Sequence, residues 1–359
     1  MSRTITMIMP VYNTEKYLNK AIESVINQTF KDFDFYIINN GCTDNSGQII
    51  ENWAAKDERI HVIKNEHNML ISDARNSAID QAESEFICFA DSDDWIEQTM
   101  LEDMVTAARR NNADLVVTGF YMEYFQQGKH SCYKVIADSA DYTKEEFEKK
   151  AHVFFNKTLL AVPWNKLYRL EHIRKNNIRY RNTKWEDHHF NMDYLMDCGN
   201  ISIISKAYYH YYRSRPGSDS EVVYDKQLYQ KRKEHFTHTM QVYNHWGFWD
   251  KETEVSMANY YSGRMLQCIQ EASSFRDMKE KQKKAIIKDI LNDPLTKQQL
   301  KLAKPDSLAM RICLMPMRCG NATLCYVEGN VISFVKKRFS NTFYRIRAKE
   351  AQGASVSNE

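Results

Sequence analysis

Several features are missing from this 359-residue chain, and each absence excludes something. No run of about 18 apolar residues occurs, so no transmembrane helix is expected. The eight cysteines (Cys42, Cys88, Cys132, Cys198, Cys268, Cys313, Cys319 and Cys325) are scattered, without the Cys-x-x-Cys pairs of a zinc site. No leader pattern precedes the first strand pattern, so no signal peptide is expected. Together these point to a reduced, cytoplasmic chain. The net charge is only +2, so nucleic acid is not an expected partner. Internal repeats and low-complexity stretches are also missing.

What is present is a globular composition, 43% hydrophobic and 27% charged. The length suffices for one large domain with a smaller one, or for two ordinary domains. Aromatics reach 12%, including 21 Tyr, which suits contact with sugar rings as well as it suits an aromatic core.

Short apolar runs at 4–11, 33–38, 60–63 and 86–90 read as strands. Helical patterns at 14–30, 43–55 and 71–82 separate them, and another is expected at 96–108. This alternation predicts βαβ units, and so an α/β fold with a mainly parallel sheet flanked by helices. The loops 10–13, 39–44 and 91–95 each follow a strand, so they should share the ligand-binding edge of the sheet. From about residue 225 the pattern turns helical, through 255–269 and 279–302. The expected organisation is a catalytic domain over 1–220, a mostly helical region over 221–350 and a disordered tail over 351–359.

Asp91-Ser92-Asp93-Asp94 is the most informative local signal. Two acids at i and i+2 on a strand-end loop can reach one hard cation, Mg²⁺ or Mn²⁺, while leaving positions for phosphate oxygens. The same residues would also serve as a helix N-cap. Pro10-Val11-Tyr12-Asn13 and Asn39-Asn40-Gly41-Cys42-Thr43-Asp44 read as ligand loops or as ordinary turns.

Taken together, Met9 to Asn13, Asn39 to Ser46, Ser72-Asp73-Ala74-Arg75-Asn76 and Asp91 to Trp95 resemble the family 2 glycosyltransferases. The wording of that family is P-x-Y-N, D-D-G-S-T-D, S-x-A-R-N and D-S-D-D. The likeness is close over 4–105 and looser to about 220. It implies the GT-A (Rossmann-like) fold and an inverting glycosyl transfer from a nucleotide-diphosphate sugar, UDP-linked in the first instance. The implied acceptor is a hydroxyl of a glycan or lipid-linked acceptor in capsule, lipopolysaccharide O-chain, exopolysaccharide or teichoic acid synthesis. By the same resemblance, Pro10, Tyr12, Asn39 and Asn40 would line the base pocket. Arg75 and Asp91 would support the ribose and pyrophosphate, Asp93 would bind the metal, and Arg213, Arg215 and Ser218 would grip the diphosphate. Asp187 would be the general base and Glu186 would orient or bind the acceptor, unless the pair only starts a capped helix running into Phe190 and Leu195, and Trp164 would stack on a sugar ring of the acceptor or pack in the core. The neighbouring His188 and His189 are expected to be solvated.

The family often has acids where this chain has Asn39 and Asn40, so CDP or GDP stays open as the nucleotide. A pure nucleotide-sugar-binding module would need neither Asp91 and Asp93 nor Asp187. A nucleotidyltransferase would carry a Gly-rich basic loop near its start, whereas residues 10–16 contain no Gly and one Lys. Residues 301–349 carry ten Lys or Arg against two acids, interleaved with apolar residues and divided by Pro305 and Pro316. Peripheral contact with the inner face of a membrane is expected there, with packing on the fold or in a homo-oligomer as the alternative.

Overall fold

The computed structural model describes residues 3–126, 129–183, 185–213 and 225–338. Arg215, Ser218, the 339–349 part of the basic segment and the 351–359 tail lie outside the described residues. The chain forms two compact units, one from Met1–Glu148 and Lys157–Ser214, the other from Lys149–Asn156 and Arg215–Glu359.

The first unit opens with β1 (Ile5–Val11), α1 (Glu15–Ile26), β2 (Phe33–Asn40), α2 (Ser46–Ala54), β3 (Ile60–Asn65), α3 (Ile71–Gln81) and β4 (Phe86–Phe89). It continues through β5 (Trp95–Ile96), α4 (Met100–Asn111), β6 (Leu115–Gln126), β7 (Lys129–Val135), β8 (Ala140–Tyr142) and the start of α5 (Lys144–Asn156), whose residues from Lys149 belong to the second unit. The last elements are β9 (Lys166–Arg169), α6 (Leu170–Lys175), α7 (Glu186–Met196) and β10 (Ile201–Tyr212).

The sheet runs β3-β2-β1-β4-β9-β6-β10-β5, with β7 on β6 and β8 on β10. Every residue of β1 is buried, as a central strand covered on both faces requires. Strands β3, β2, β1 and β4 are mutually parallel, and so are β6 and β10. β9 enters antiparallel between β4 and β6, so the sheet is mixed beyond its first four strands. The chain winds from β1 outward to β3, then returns through α3 to β4 on the other side of β1. That reversal makes the carboxyl ends of β1, β2 and β4 the expected crevice. The expected helix at 96–108 starts later, at Met100, because residues 95–96 pair with β10.

The second unit holds α8 (Leu228–Trp246), α9 (Lys251–Ser274), α10 (Glu280–Asn292), α11 (Pro294–Leu302), α12 (Leu308–Arg318) and α13 (Ala322–Arg338). The single helical run expected over 279–302 is two helices. Asp293 caps the second through the Leu295 and Thr296 amides, with Pro294 at its first position. Met257, Tyr261, Met265 and Ile269 of α9 form the centre of this unit. α13 lies close on α9, and a Cβ at Gly329 would come within 2.4 Å of Ser273 Oγ.

Candidate active site

The site is organised around Arg75. Its place on the buried face of α3, beside Ala74 and Ala78, leaves the side chain 2% exposed. A charge so deep requires partners. Nη1 donates to Glu186 Oε1 at 2.9 Å and Asp187 Oδ1 at 2.6 Å, and Nη2 donates to Asp91 Oδ1 at 3.1 Å. One guanidinium thus joins the end of β4 to the start of α7. The three carboxylates keep Arg75 firmly charged despite burial, which alone would lower its pKa.

The flanking residues of the same motif hold this geometry. Ser72 Oγ donates to the Arg181 carbonyl at 2.8 Å. Asn76 donates to the Tyr180 carbonyl and accepts from the Tyr180 amide, both at 2.9 Å. Tyr180 lies under the Arg75 guanidinium and stacks on Phe190 of α7. The chain then turns through Trp185, whose φ of 62° is unusual for a bulky residue, straight into Glu186 and Asp187. Burial pushes the Asp187 carboxyl up to about 7. Arg75 opposes the rise, while Glu186 and Asp91 add to it.

The loop after β2 is locked from below. Asn40 is buried and its amide is fully used. Nδ2 donates to Asn68 Oδ1 and the Met69 carbonyl, and Oδ1 accepts from Asn65 Nδ2 and the Met69 amide. Nothing remains to read a base, so Asn40 fastens residues 65–69 rather than lining a base pocket. Gly41 has φ +73°, and a Cβ there would meet the His67 backbone at 2.4 Å. Asn39 accepts from the Cys42 amide through Oδ1. Asp44 accepts from the Glu15 and Ser46 amides, tying the starts of α1 and α2 together. Pro10 is buried, while Tyr12, one residue past β1, is 43% exposed.

The Asp91–Asp94 loop divides its labour. Tyr209 of β10 accepts from the Asp91 amide at 2.9 Å and donates to Asp94 Oδ2 at 2.8 Å. The Tyr212 amide donates to Asp94 Oδ1 at 2.7 Å. Asp94 is therefore a buried anchor, its pKa raised by burial and by Asp93 and Asp91. It does not cap a helix. Asp93 is half-buried and lines a cavity of about 230 Å³ with Lys16, Lys20, Trp95, Phe125 and Tyr212. A larger cavity of about 510 Å³, by Ser84, Glu85 and Arg169, lies at the opposite end of β4. It is remote from all of these groups.

Residues 6–176 match the sequence profile of Glycosyl transferase family 2. These residues form a family 2 glycosyltransferase domain. The chain is similar to the uncharacterized glycosyltransferase EpsJ of Bacillus subtilis, 26% identical over 86% of this chain and 92% of EpsJ. It is also similar to the poly(ribitol-phosphate) beta-N-acetylglucosaminyltransferase TarP of Staphylococcus aureus, 30% identical over 58% of this chain. It spans 62% of TarP's length. Among solved structures, S. aureus TarS 1-349 shares the fold, with a TM-score of 0.64 at 19% identity over 92% of this chain and 91% of that one. TarS has also been solved in complex with UDP, with a TM-score of 0.61 to this chain. The fold is thus the GT-A fold, and the chain is a glycosyltransferase.

Within this glycosyltransferase the remaining expected residues divide. Trp164 is 3% exposed and stacks on Tyr209 at 4.2 Å, so its ring is core and is not presented to a sugar. His188 and His189 are buried on α7, not solvated. Arg213 lies just past β10, over the Tyr211 ring, and donates to the Tyr211 hydroxyl at 3.1 Å. Tyr209 was missed. It sits in the run Tyr208-Tyr209-His210-Tyr211-Tyr212, where only the pairing partner of β10 reveals which hydroxyl faces the acids.

Proposed function

We propose that this glycosyltransferase transfers a sugar, with inversion, from a UDP-linked donor to a hydroxyl of a bacterial glycan or lipid-linked acceptor. The observation that carries the reading is the single buried guanidinium of Arg75 shared by Asp91 and the Glu186–Asp187 pair. Asp187 takes the proton of the acceptor hydroxyl. The freed oxygen attacks the anomeric carbon from the face opposite the diphosphate, and the bond from that carbon to the diphosphate oxygen breaks. A carboxyl raised to about 7 is matched to base work near neutral pH. Glu186 orients the acceptor. Tyr12 and Asn39 flank the nucleotide, with Arg213 on the diphosphate side. The UDP complex of TarS supports UDP as the nucleotide, and the poly(ribitol-phosphate) acted on by TarP supports a polymeric acceptor.

The donor atoms of the 91–93 segment fit a divalent cation. Among the described residues no protein donor bonds Asp91 Oδ2, and no group of three or more His, Cys, Asp or Glu could enclose a metal. One or two carboxylates, with phosphate oxygens completing the shell, is how Mg²⁺ is usually held. Asp93 would hold the ion, which offsets negative charge on the departing diphosphate.

The test is a screen of nucleotide sugars for protection against thermal unfolding, with and without Mn²⁺. A UDP-sugar should protect, more strongly with Mn²⁺. Asp93→Ala should stay folded and lose the Mn²⁺ increment. Protection by GDP- or CDP-sugars alone would overturn the UDP assignment, and full UDP release in EDTA would overturn the metal role.

A further inference from the structure

Sixteen large apolar side chains are exposed among the described residues, and eight of them lie on α12 and α13. On α12, Leu308, Ile312 and Met315 follow one another at i, i+4 and i+7. On α13, Val327, Val331 and Phe334 repeat that spacing. Their exposure runs from 53% at Val327 to 71% at Leu308. The opposite faces are committed elsewhere: Leu314, Met317 and Cys325 are buried, and Gly329 meets α9. Each helix therefore buries one face inside the second unit and presents an apolar stripe outward. Stripes of this kind mark an interaction surface.

We propose that the outward stripes of α12 and α13 dock on an anionic lipid bilayer, lying in its interface. Charge selects this occupant. Residues 336–349, which begin in the last turn of α13, hold Lys336, Lys337, Arg338, Arg345, Arg347 and Lys349 without an acid, interleaved with Phe339, Phe343 and Tyr344. Basic residues that follow an apolar stripe along the chain complement acidic headgroups over a hydrocarbon edge. A second copy would bring a second chain with the same six Lys and Arg and no acid over 336–349, and like charges oppose that pairing. No helix among the described residues is long and apolar enough to cross a membrane, so the stripes lie on the bilayer and do not span it. The inference stands independently of the glycosyl-transfer reading.

The test is flotation of the full chain with vesicles of equal parts phosphatidylcholine and phosphatidylglycerol, against phosphatidylcholine alone, at low and high salt. The chain should float with the anionic vesicles, less so at high salt, and stay down with the neutral ones. Ile312→Glu with Phe334→Glu should cut the partition by about ten-fold or more per side chain, with an unchanged circular dichroism spectrum. If that variant does not fold, Ile312→Ser with Phe334→Ser is read in its place. Failure of the wild-type chain to float with anionic vesicles overturns the proposal. Equal flotation of wild type and variant also overturns it, since the basic segment alone would then suffice. A wild-type mass above that of a monomer, lost in the variant while neither floats, would assign the face to contact between copies.

Discussion

Arg75 shows what a charge buried in a core must do. It pays for its desolvation by serving three carboxylates at once. Arg75→Met would leave Asp91, Glu186 and Asp187 facing one another without a cation. A loss of about 3–5 kcal/mol in chemical denaturation is expected. Lysine would not rescue it, because one ammonium cannot reproduce a forked donor to three acceptors. Asp187 carries the complementary cost. The folded carboxyl, at about 7, keeps a proton that an ordinary aspartate releases near 3.8. Its contribution to stability therefore falls as pH rises between about pH 4 and pH 7. Asp187→Asn removes that loss, so at pH 8 the variant should melt at or above the wild-type temperature in calorimetry. A large drop there would mean that Asp187 is chiefly a structural partner of Arg75.

At the scale of elements, the site depends on α3 gripping the segment ahead of α7. Asn76 makes both of its bonds to the Tyr180 backbone, six residues before Glu186. Asn76→Ala should cost about 1–3 kcal/mol by leaving buried backbone groups unpaired. It should also lower kcat while leaving the donor Kd, measured by calorimetry, within about two-fold, because the residues proposed to hold the nucleotide, Tyr12, Asn39 and Arg213, make none of their bonds to Asn76. A change in donor affinity with kcat preserved would contradict this division. The loop after β2 is held in a similar way. Asn40→Ala should loosen residues 65–69, and faster amide exchange there, with donor affinity falling only through that loosening, would mark it as a scaffold residue.

At the scale of the whole molecule, the legible parts were those governed by short-range pattern. β1 to β4 are apolar runs, each followed by a polar loop, and the C-terminal helices follow the 3.6-residue period until Pro294 breaks one. β5 to β10 were not legible. β5 has two residues and β9 four, and β9 runs antiparallel in mid-sheet, where no local signal announces its partner. The site motifs could be found, but the work of each residue could not. Asn39 and Asn40 look alike in sequence, and only the hydrogen bonds from residues 65–69 separate them. Arg75 meets Asp187 across 112 residues, and Trp164 is assigned to the core by the position of Tyr209.

The most direct measurement is the pH dependence of UDP release from a UDP-sugar, with water or a glycan as acceptor, for wild type and Asp187→Asn. Wild-type kcat should rise through about pH 7 and then level, because Asp187 is a base only when ionised. The variant should bind the donor normally, lose about 10²–10⁴-fold in kcat and show no step near pH 7. A variant that keeps the wild-type rate and the wild-type step would show that the base lies elsewhere.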